Sequence, residues 1–174
     1  DETQPRIAIL TEDGSLHWVI TDPTDGDAID FMKPRSSESI SEPLTGASTL
    51  AVSEHGIAMS DGTRVSIHRE LDGVTSSFET ESVVLDAMWI GTDAWVLTED
   101  AAWKNGTRTH GGGHHLVSWD NQAWIIRNGE LTDGTTTWTH PGLIGPATQM
   151  GSDLVAITSS GLARIDPNGT AKGI

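Results

Sequence analysis

Three histidines stand close together in this sequence, and their side chains are the ones that most directly suggest metal chemistry. They are His110, His114 and His115, and a run of three glycines separates the first from the second. Imidazole nitrogens bind zinc, nickel and copper, so the residue types fit a transition-metal site. A structural zinc ion takes a fourth ligand and orienting partners, and this spacing matches no standard zinc finger. The alternatives are a transition-metal site and a solvated loop, and the flexible triglycine favours the loop.

A second candidate metal site is a cluster of four carboxylates within nine residues. Its members are Asp22, Asp25, Asp27 and Asp30. Calcium takes several oxygen ligands from a tight acidic loop, so the composition suits this cation. The spacing is not that of an EF-hand, and a chain with 25 acidic residues contains such clusters by background. The cluster is therefore interpreted either as a calcium loop or as part of an acidic surface.

Tryptophans are concentrated in the middle of the chain, where six of the seven lie between residues 89 and 138. Trp103 is close to Asn105, and Trp138 is close to Asp133, and both pairs fall near expected turns. A flat indole face beside oxygen acceptors suits a pyranose, so these four residues are candidates for binding a glycan. The alternative is that the rings pack between strands, where a buried tryptophan contributes much apolar area.

Several kinds of chemistry are disfavoured by composition. There is no cysteine, which excludes disulfides and thiol catalysis. The His-Gly-Gly-Gly word resembles an oxyanion loop, but the Gly-x-Ser-x-Gly nucleophile elbow that such loops accompany is missing. The net charge of -15 repels nucleic acid and anionic membranes, and no apolar stretch is long enough to span a bilayer. The sequence therefore favours a non-catalytic role without cofactors.

Short strands and tight turns are the elements that must position these residues. Apolar or alternating stretches of five or six residues recur throughout, for example at 6–10, 16–20 and 64–68. They are separated by Asp-Gly and Asn-Gly pairs, which tolerate the positive φ angles of tight hairpins. No apolar pattern with helical spacing extends over ten residues. The sequence therefore predicts an all-β protein.

One unit of two strands around a turn recurs five times. Its turn positions are Gly14, Gly62, Ala101, Gly129 and Gly161, with a mean spacing of about 37 residues. This period is typical of a four-stranded β-propeller blade. We predict a small or partial β-propeller of about five blades, with a two-sheet β-sandwich as the alternative. In this alignment Trp95 and Trp124 occupy equivalent positions, and so do Trp89 and Trp119.

The repeats fill the whole chain, so we expect one domain over residues 1–174, with a mobile loop at 34–43. The first unit lacks a leading strand, and little sequence remains for the last strand of the final unit. Because a propeller needs paired ends, this favours an oligomer or a subunit of a complex. The sequence starts at Asp1, which is compatible with removal of a signal segment. The acidic coat favours an extracellular or cell-surface location.

Short words in the sequence resemble known propeller repeats. MWIGT at residues 88–92 and GLARIDP at 161–167 resemble the repeats of sensor-kinase periplasmic propellers. The segment 91–97 followed by Asn-Gly-Thr at 105–107, with a later copy at 120–138, resembles tectonin-type lectin repeats. Both resemblances imply a propeller fold, and neither implies a catalytic residue.

Taken together, these patterns predict a recognition or scaffolding module that mediates protein-protein interaction or complex assembly. A glycan-binding, lectin-like propeller is the alternative, and an enzyme with a site in the central channel is the second alternative. The expected partner is a protein or a glycan, not a nucleic acid. The favoured surface is the region of Trp103, His110 to His115 and Trp138, which carries few acidic residues.

Overall fold

The computed structural model describes residues 6–10, 16–20, 49–69 and 75–173 of the chain. Within these ranges every regular element is a β-strand. The strands are β1 (Arg6–Leu10), β2 (Leu16–Ile20), β3 (Thr49–Ser53), β4 (Gly56–Asp61), β5 (Arg64–Arg69), β6 (Thr75–Glu79), β7 (Val84–Ile90), β8 (Asp93–Thr98), β9 (Ala101–Lys104), β10 (Thr107–Gly111), β11 (His115–Trp119), β12 (Gln122–Arg127), β13 (Glu130–Thr132), β14 (Thr137–Thr139), β15 (Leu143–Met150), β16 (Asp153–Thr158), β17 (Gly161–Ile165) and β18 (Ala171–Gly173).

The strands form one antiparallel hairpin and four antiparallel sheets, each built from consecutive strands. The hairpin is β1–β2, sheet 1 is β3–β6, sheet 2 is β7–β10, sheet 3 is β11–β14 and sheet 4 is β15–β18. The first strands of neighbouring sheets pack together, β3 against β7, β7 against β11 and β11 against β15. This radial array of four-stranded meanders is a partial β-propeller. The β-sandwich alternative is wrong, because four separate sheets stack in chain order instead of two sheets facing each other.

The repeat found in the sequence is the hairpin between the second and third strands of each sheet. Gly62, Gly129 and Gly161 lie in or beside these hairpins, and Ala101 begins β9 at the same place in sheet 2. Asn128 and Gly129 show why, since their φ angles of 48° and 79° fit the tight turn that joins β12 to β13. Gly14 lies between β1 and β2 but outside the described residues. The predicted repeat is thus confirmed in all four sheets.

Apolar residues are buried between the sheets, because side chains along a strand alternate between its two faces. In sheets 2 and 3, one face meets the preceding sheet and the other meets the following sheet. The buried cluster between sheets 1 and 2 includes Ala58, Ile67, Ala94 and Val96; that between sheets 2 and 3 includes Leu97, Ala102, Leu116 and Ile125; that between sheets 3 and 4 includes Val117, Trp124, Ile126, Leu131, Leu154 and Ile165.

Two predicted features lie outside the described residues. These are the acidic cluster Asp22, Asp25, Asp27 and Asp30, and the loop at 34–43. Among the residues that the structure does describe, no helix has the length and hydropathy needed to cross a membrane.

Candidate functional site

A glycine lies against an aromatic ring of the preceding sheet at each of three successive sheet interfaces. Each glycine sits in the turn between the third and fourth strands, at a φ angle between 81° and 88° that favours glycine. A Cβ atom added there would lie 3.2 Å or less from the ring. The three pairs are Gly106 with Phe78, Gly134 with His110, and Gly169 with Trp138. The glycines of these Asn-Gly and Asp-Gly pairs therefore allow both the tight turn and the close contact between sheets.

Asn105 and Asp133, two of the predicted ligand-binding residues, have their side chains engaged in building turns. The Asn105 Oδ1 atom accepts a hydrogen bond from the Ala94 amide at 2.9 Å, and its Nδ2 donates to Asp93 Oδ1 at 2.6 Å. The Asp133 Oδ1 atom accepts from the amides of Thr135 and Thr136 at 2.8 and 2.6 Å. These bonds fix the local backbone, as is usual for Asx residues in turns.

The other two predicted ligand residues, Trp103 and Trp138, pack between sheets. Trp103 belongs to the cluster between sheets 1 and 2, with its ring centroid 5.6 Å from that of Phe78. Trp138 stacks on Trp124, with ring centroids 4.7 Å apart and an interplanar angle of 14°, and it also contacts Gly169. Both rings thus take part in packing between sheets, while both remain half-buried and Trp138 also lines a groove.

The four remaining tryptophans of the central region test the equivalences that the repeat alignment predicts, and one of the two predicted pairs is equivalent in the structure. Trp95 and Trp124 are equivalent, because each lies two residues after the residue that closes the first hairpin. Trp119 closes its hairpin, whereas Trp89 precedes the closing residue by one position. A shift of one residue reverses the face of a strand. Accordingly, Trp89 Nε1 donates to Ala51 O in sheet 1, and Trp119 Nε1 donates to Ser152 O in sheet 4.

The three histidines are distributed over β10, the link between sheets and β11. The His110 ring lies 5.9 Å from that of Trp95, and its Nε2 atom is buried without a hydrogen-bond partner. Burial lowers the pKa of His110, and the nearby Asp133 charge opposes this. His114 is exposed, with Nε2 3.3 Å from Asn128 Oδ1. Across the described ranges, no three His, Cys, Asp or Glu side chains come together as a metal-binding group.

The triglycine between His110 and His114 is part of the packed link from sheet 2 to sheet 3. Gly112 and Gly113 are buried. A Cβ atom on Gly112 would lie 2.3 Å from Thr98 O, and one on Gly113 would lie 2.4 Å from Ile125 Cγ2. The Gly113 amide also donates to Thr98 O at 3.0 Å. The prediction of a solvated loop is wrong for these two glycines, since close approach of the backbone requires them.

Two grooves open at equivalent places, one between sheets 2 and 3 and one between sheets 3 and 4. The first, the polar groove, has a volume of about 390 Å³ and is lined by Asp93, Trp95, Lys104, His110, Asn121 and Asp133 among others. The second, the tryptophan groove, has a volume of about 240 Å³ and is lined by Trp119, Trp124, Trp138, Gln122, Gln149 and Pro167 among others. The same scaffold thus presents charged groups in one groove and indole rings in the next.

An ion pair organises the polar groove. Lys104 Nζ lies 2.8 Å from Asp93 Oδ2 and 5.8 Å from the centroid of the Trp95 ring. Burial raises the pKa of Asp93, but the hydrogen bonds from Lys104 and Asn105 and the charge of Lys104 together bring it below its usual value. Asp93 therefore stays ionised at neutral pH and holds Lys104 in place.

The outer face of sheet 4, opposite sheet 3, carries exposed apolar side chains. Ile157 and Leu162 are cross-strand partners there and are 42% and 49% exposed. Ile144 and Met150 on β15 are also exposed. The sequence analysis did not single out this surface. The unbroken apolar run 154–157 could have indicated it, because a strand with apolar residues on both faces is typically buried on both faces.

Charged residues border this apolar pair. Arg164 on β17 forms an ion pair with Asp153 on β16, and Lys172 on β18 is the cross-strand partner of Arg164. The bonds from Arg164 and Ser152 hold the pKa of Asp153 below its usual value. The face therefore has an aliphatic centre bordered by this ion pair and by the positive charge of Lys172.

Comparison with known proteins places the chain in a fold class. No protein-family model and no curated protein matches the sequence. Among solved structures, the WD40 β-propeller domain of Doa1 superposes with a TM-score of 0.61 at 14% identity, covering 97% of this chain and 64% of that one. The extracellular domain of the putative one-component system BT4673 from B. thetaiotaomicron gives 0.59 at 14% identity, covering 100% and 26%. A nidogen/laminin complex gives 0.54 at 14% identity, covering 97% and 79%.

These likenesses confirm the propeller fold that the repeat words implied, and they indicate no particular family. The chain spans about two thirds of the Doa1 domain and about a quarter of the BT4673 domain.

Proposed function

We propose that this chain is a non-catalytic protein-recognition module and that it binds its partner through the outer face of sheet 4. The observation that carries the proposal is the exposure of the Ile157 and Leu162 pair on a regular strand surface. Apolar surface that stays in contact with water is unfavourable by roughly 25 cal/mol per Å², so a contiguous exposed patch is typical of an interaction site. Scattered single apolar residues would carry no such meaning.

The fold supports a binding role more than a catalytic one. Propellers present a rigid scaffold, and their function resides in the surfaces that a given sequence adds. One of the similar structures is a nidogen/laminin complex, which is an assembly of two proteins. Because identity to it is 14%, this likeness supports the kind of role and no particular partner.

The experiment compares capture of a partner by the wild-type chain and by a double variant, Ile157→Thr with Leu162→Thr. Threonine keeps a β-branched side chain at Ile157 and suits a strand at both positions, so the sheet should survive while the apolar patch is lost. Val83→Thr is the matched control, since Val83 is 56% exposed but lies in the segment that links β6 to β7, away from sheet 4. We expect a stoichiometric partner from the source extract to bind the wild type and the control and to be lost in the double variant.

The proposal fails if the double variant, folded with an unchanged melting temperature, captures the same proteins as the wild type. A native mass that doubles in the wild type and not in the double variant would identify the partner as a second copy. That outcome supports the recognition role through self-assembly.

The glycan-binding alternative is weakened by the packing of Trp103 and Trp138 and by the turn contacts of Asn105 and Asp133. The place to look for a glycan is the tryptophan groove between sheets 3 and 4, which Trp138 lines together with Trp119 and Trp124. For the central-channel enzyme, the described ranges hold no group of three His, Cys, Asp or Glu side chains placed to bind a metal ion. Neither alternative is part of our proposal.

A further inference from the structure

The exposed pair on sheet 4 occupies a position that is buried in the two sheets before it. Leu97 pairs with Ala102 in sheet 2, Ile126 pairs with Leu131 in sheet 3, and Ile157 pairs with Leu162 in sheet 4. All three pairs join the second strand to the third at the same distance from the first hairpin. The first two pairs are 0–1% exposed because the following sheet covers them. In sheet 4 the same position has aliphatic side chains that are 42% and 49% exposed.

The side chains that cover the first two pairs define what a third cover would look like. Leu97 and Ala102 are packed by Leu116 and Ile125 of sheet 3. Ile126 and Leu131 are packed by Leu154, Ala156 and Ile165 of sheet 4. In both cases the cover is the face of a four-stranded sheet with small or medium aliphatic residues and no charge. Stacked sheets approach to about 10 Å, a separation at which flat aliphatic faces pack closely.

The opposite end of the array contrasts with sheet 4. On the outer face of sheet 1, Ile57 and Met59 are 0% and 2% exposed. Both ends therefore carry aliphatic side chains, but those on sheet 1 are buried and those on sheet 4 are exposed. The exposed face of sheet 4 continues the series of sheet interfaces, so a further sheet could pack on it in the same way.

Charge at the margin narrows the partner further. Arg164 is paired with Asp153, whereas Lys172, one strand further out, forms no ion pair with the described residues. A sheet stacked on this face gains by placing an acidic side chain opposite Lys172. A basic group in that place would be repelled.

We propose that the outer face of sheet 4 docks a four-stranded antiparallel propeller blade that is not among the four sheets described here. This blade presents Ala, Val, Leu or Ile to Ile157 and Leu162 and an acidic residue to Lys172. The inference rests on the proposed function, because it names the partner of the same surface. Its chemistry is that of a β-sheet face, in contrast to a peptide strand or a helix.

The test uses an appended blade as the probe. Residues 140–174 are duplicated after Ile174, so that a second copy of sheet 4 can stack on the first with Leu154, Ala156 and Ile165 facing it. In a second fusion, residues 112–139 are appended, which supply the Leu116 and Ile125 face of sheet 3. Because the chain has no cysteine, Leu162→Cys provides a single thiol whose modification rate reports on cover.

We expect either fusion to slow thiol modification at position 162 by about tenfold or more, which corresponds to about 1.4 kcal/mol of docking free energy. Val83→Cys in the same fusions should react at the rate seen without an appended blade. An appended copy of 140–174 carrying Leu154→Asp and Ala156→Asp should give no protection at position 162.

The assignment is overturned if neither fusion slows modification at position 162. It is also overturned if the unfused chain becomes protected as its own concentration rises, because the occupant is then a second copy. The two proposals fail separately. If the thiol stays unprotected but a partner is captured, the blade assignment is wrong and the recognition role stands. If the thiol is protected but no partner is captured, the recognition role is wrong and the blade assignment stands.

Discussion

The interface between sheets 2 and 3 and the interface between sheets 3 and 4 occupy the same place in successive repeats but differ in what fills them. Both have an aliphatic inner part, with Leu116 and Ile125 in the first and Leu154 and Ile165 in the second. Their outer parts diverge. In the first, charged and polar groups line an open groove, and in the second, three tryptophan rings contact one another.

This difference shows that strand register determines which positions meet, while the residue types at those positions determine how much the contact stabilises the fold. A buried tryptophan removes 150–250 Å² from water, at roughly 25 cal/mol per Å². An exposed ion pair such as that of Lys104 with Asp93 contributes about 0.2–1 kcal/mol. The interface between sheets 3 and 4 should therefore be the more resistant of the two. Three predictions test this comparison.

The largest effect is expected at the equivalent tryptophans Trp124 and Trp95. Trp124 is buried against two other indole rings, so Trp124→Ala should lower the free energy of unfolding by about 3–5 kcal/mol. Trp95 is only half-buried and faces the polar groove, so Trp95→Ala should cost about half as much. Urea unfolding midpoints measure both. Equal losses would contradict the ranking of the two interfaces.

The next effect concerns the glycines that contact the rings. Gly169→Ala would place a Cβ atom 2.6 Å from Trp138 ring atoms, whereas Gly134→Ala would place one 2.9 Å from His110 Cγ. Both also suffer the cost of a positive φ, about 1–2 kcal/mol. Overpacking adds about 1–3 kcal/mol, and the addition should be larger at Gly169, where the ring is held by Trp124.

Gly151→Ala is the matched control for these two variants. Its φ angle is 66°, and nothing lies within 4 Å of the added Cβ atom, so it measures the backbone cost alone. Melting temperatures should fall least for Gly151→Ala and most for Gly169→Ala. If all three variants have the same melting temperature, the contacts of Gly134 and Gly169 with the rings add nothing to the backbone cost of the substitution.

Much of this fold could be predicted from the sequence because its rules are local. Asn-Gly and Asp-Gly pairs specify tight turns wherever they stand, as Asn128 and Gly129 do between β12 and β13. The alternation of apolar residues specifies strands, and the recurrence of the two together predicts a blade. None of these signals depends on residues that are distant in the sequence.

The misses came from contacts that are not local. Gly112 and Gly113 resemble a flexible linker in the sequence, and only the approach of Thr98 and Ile125 shows why a side chain is excluded. Trp89 and Trp119 differ by one residue in register, which is invisible without the hairpin pairing and sends the two rings to opposite faces. The outer face of sheet 4 was missed because exposure depends on which neighbour is present.

The smallest effect is the pH dependence of the interface between sheets 2 and 3, and it distinguishes His110 from its counterpart Trp138. Burial lowers the pKa of His110 below its usual value of 6.5, so the unfolded chain binds the proton more readily than the folded chain. Stability from this residue is therefore present above pH 6.5 and is lost as the pH falls toward the lowered pKa. Asp133 reduces the effect without reversing it. His110→Phe keeps a ring against Gly134 and removes the titration, so the variant should lose less stability than the wild type between pH 7.5 and 5.5 in urea unfolding. The six other histidines are common to both proteins and cancel in the difference. Identical losses would mean that protonated His110 is accommodated in the polar groove, and the contrast between the two grooves would then lie in their shape and not in their chemistry.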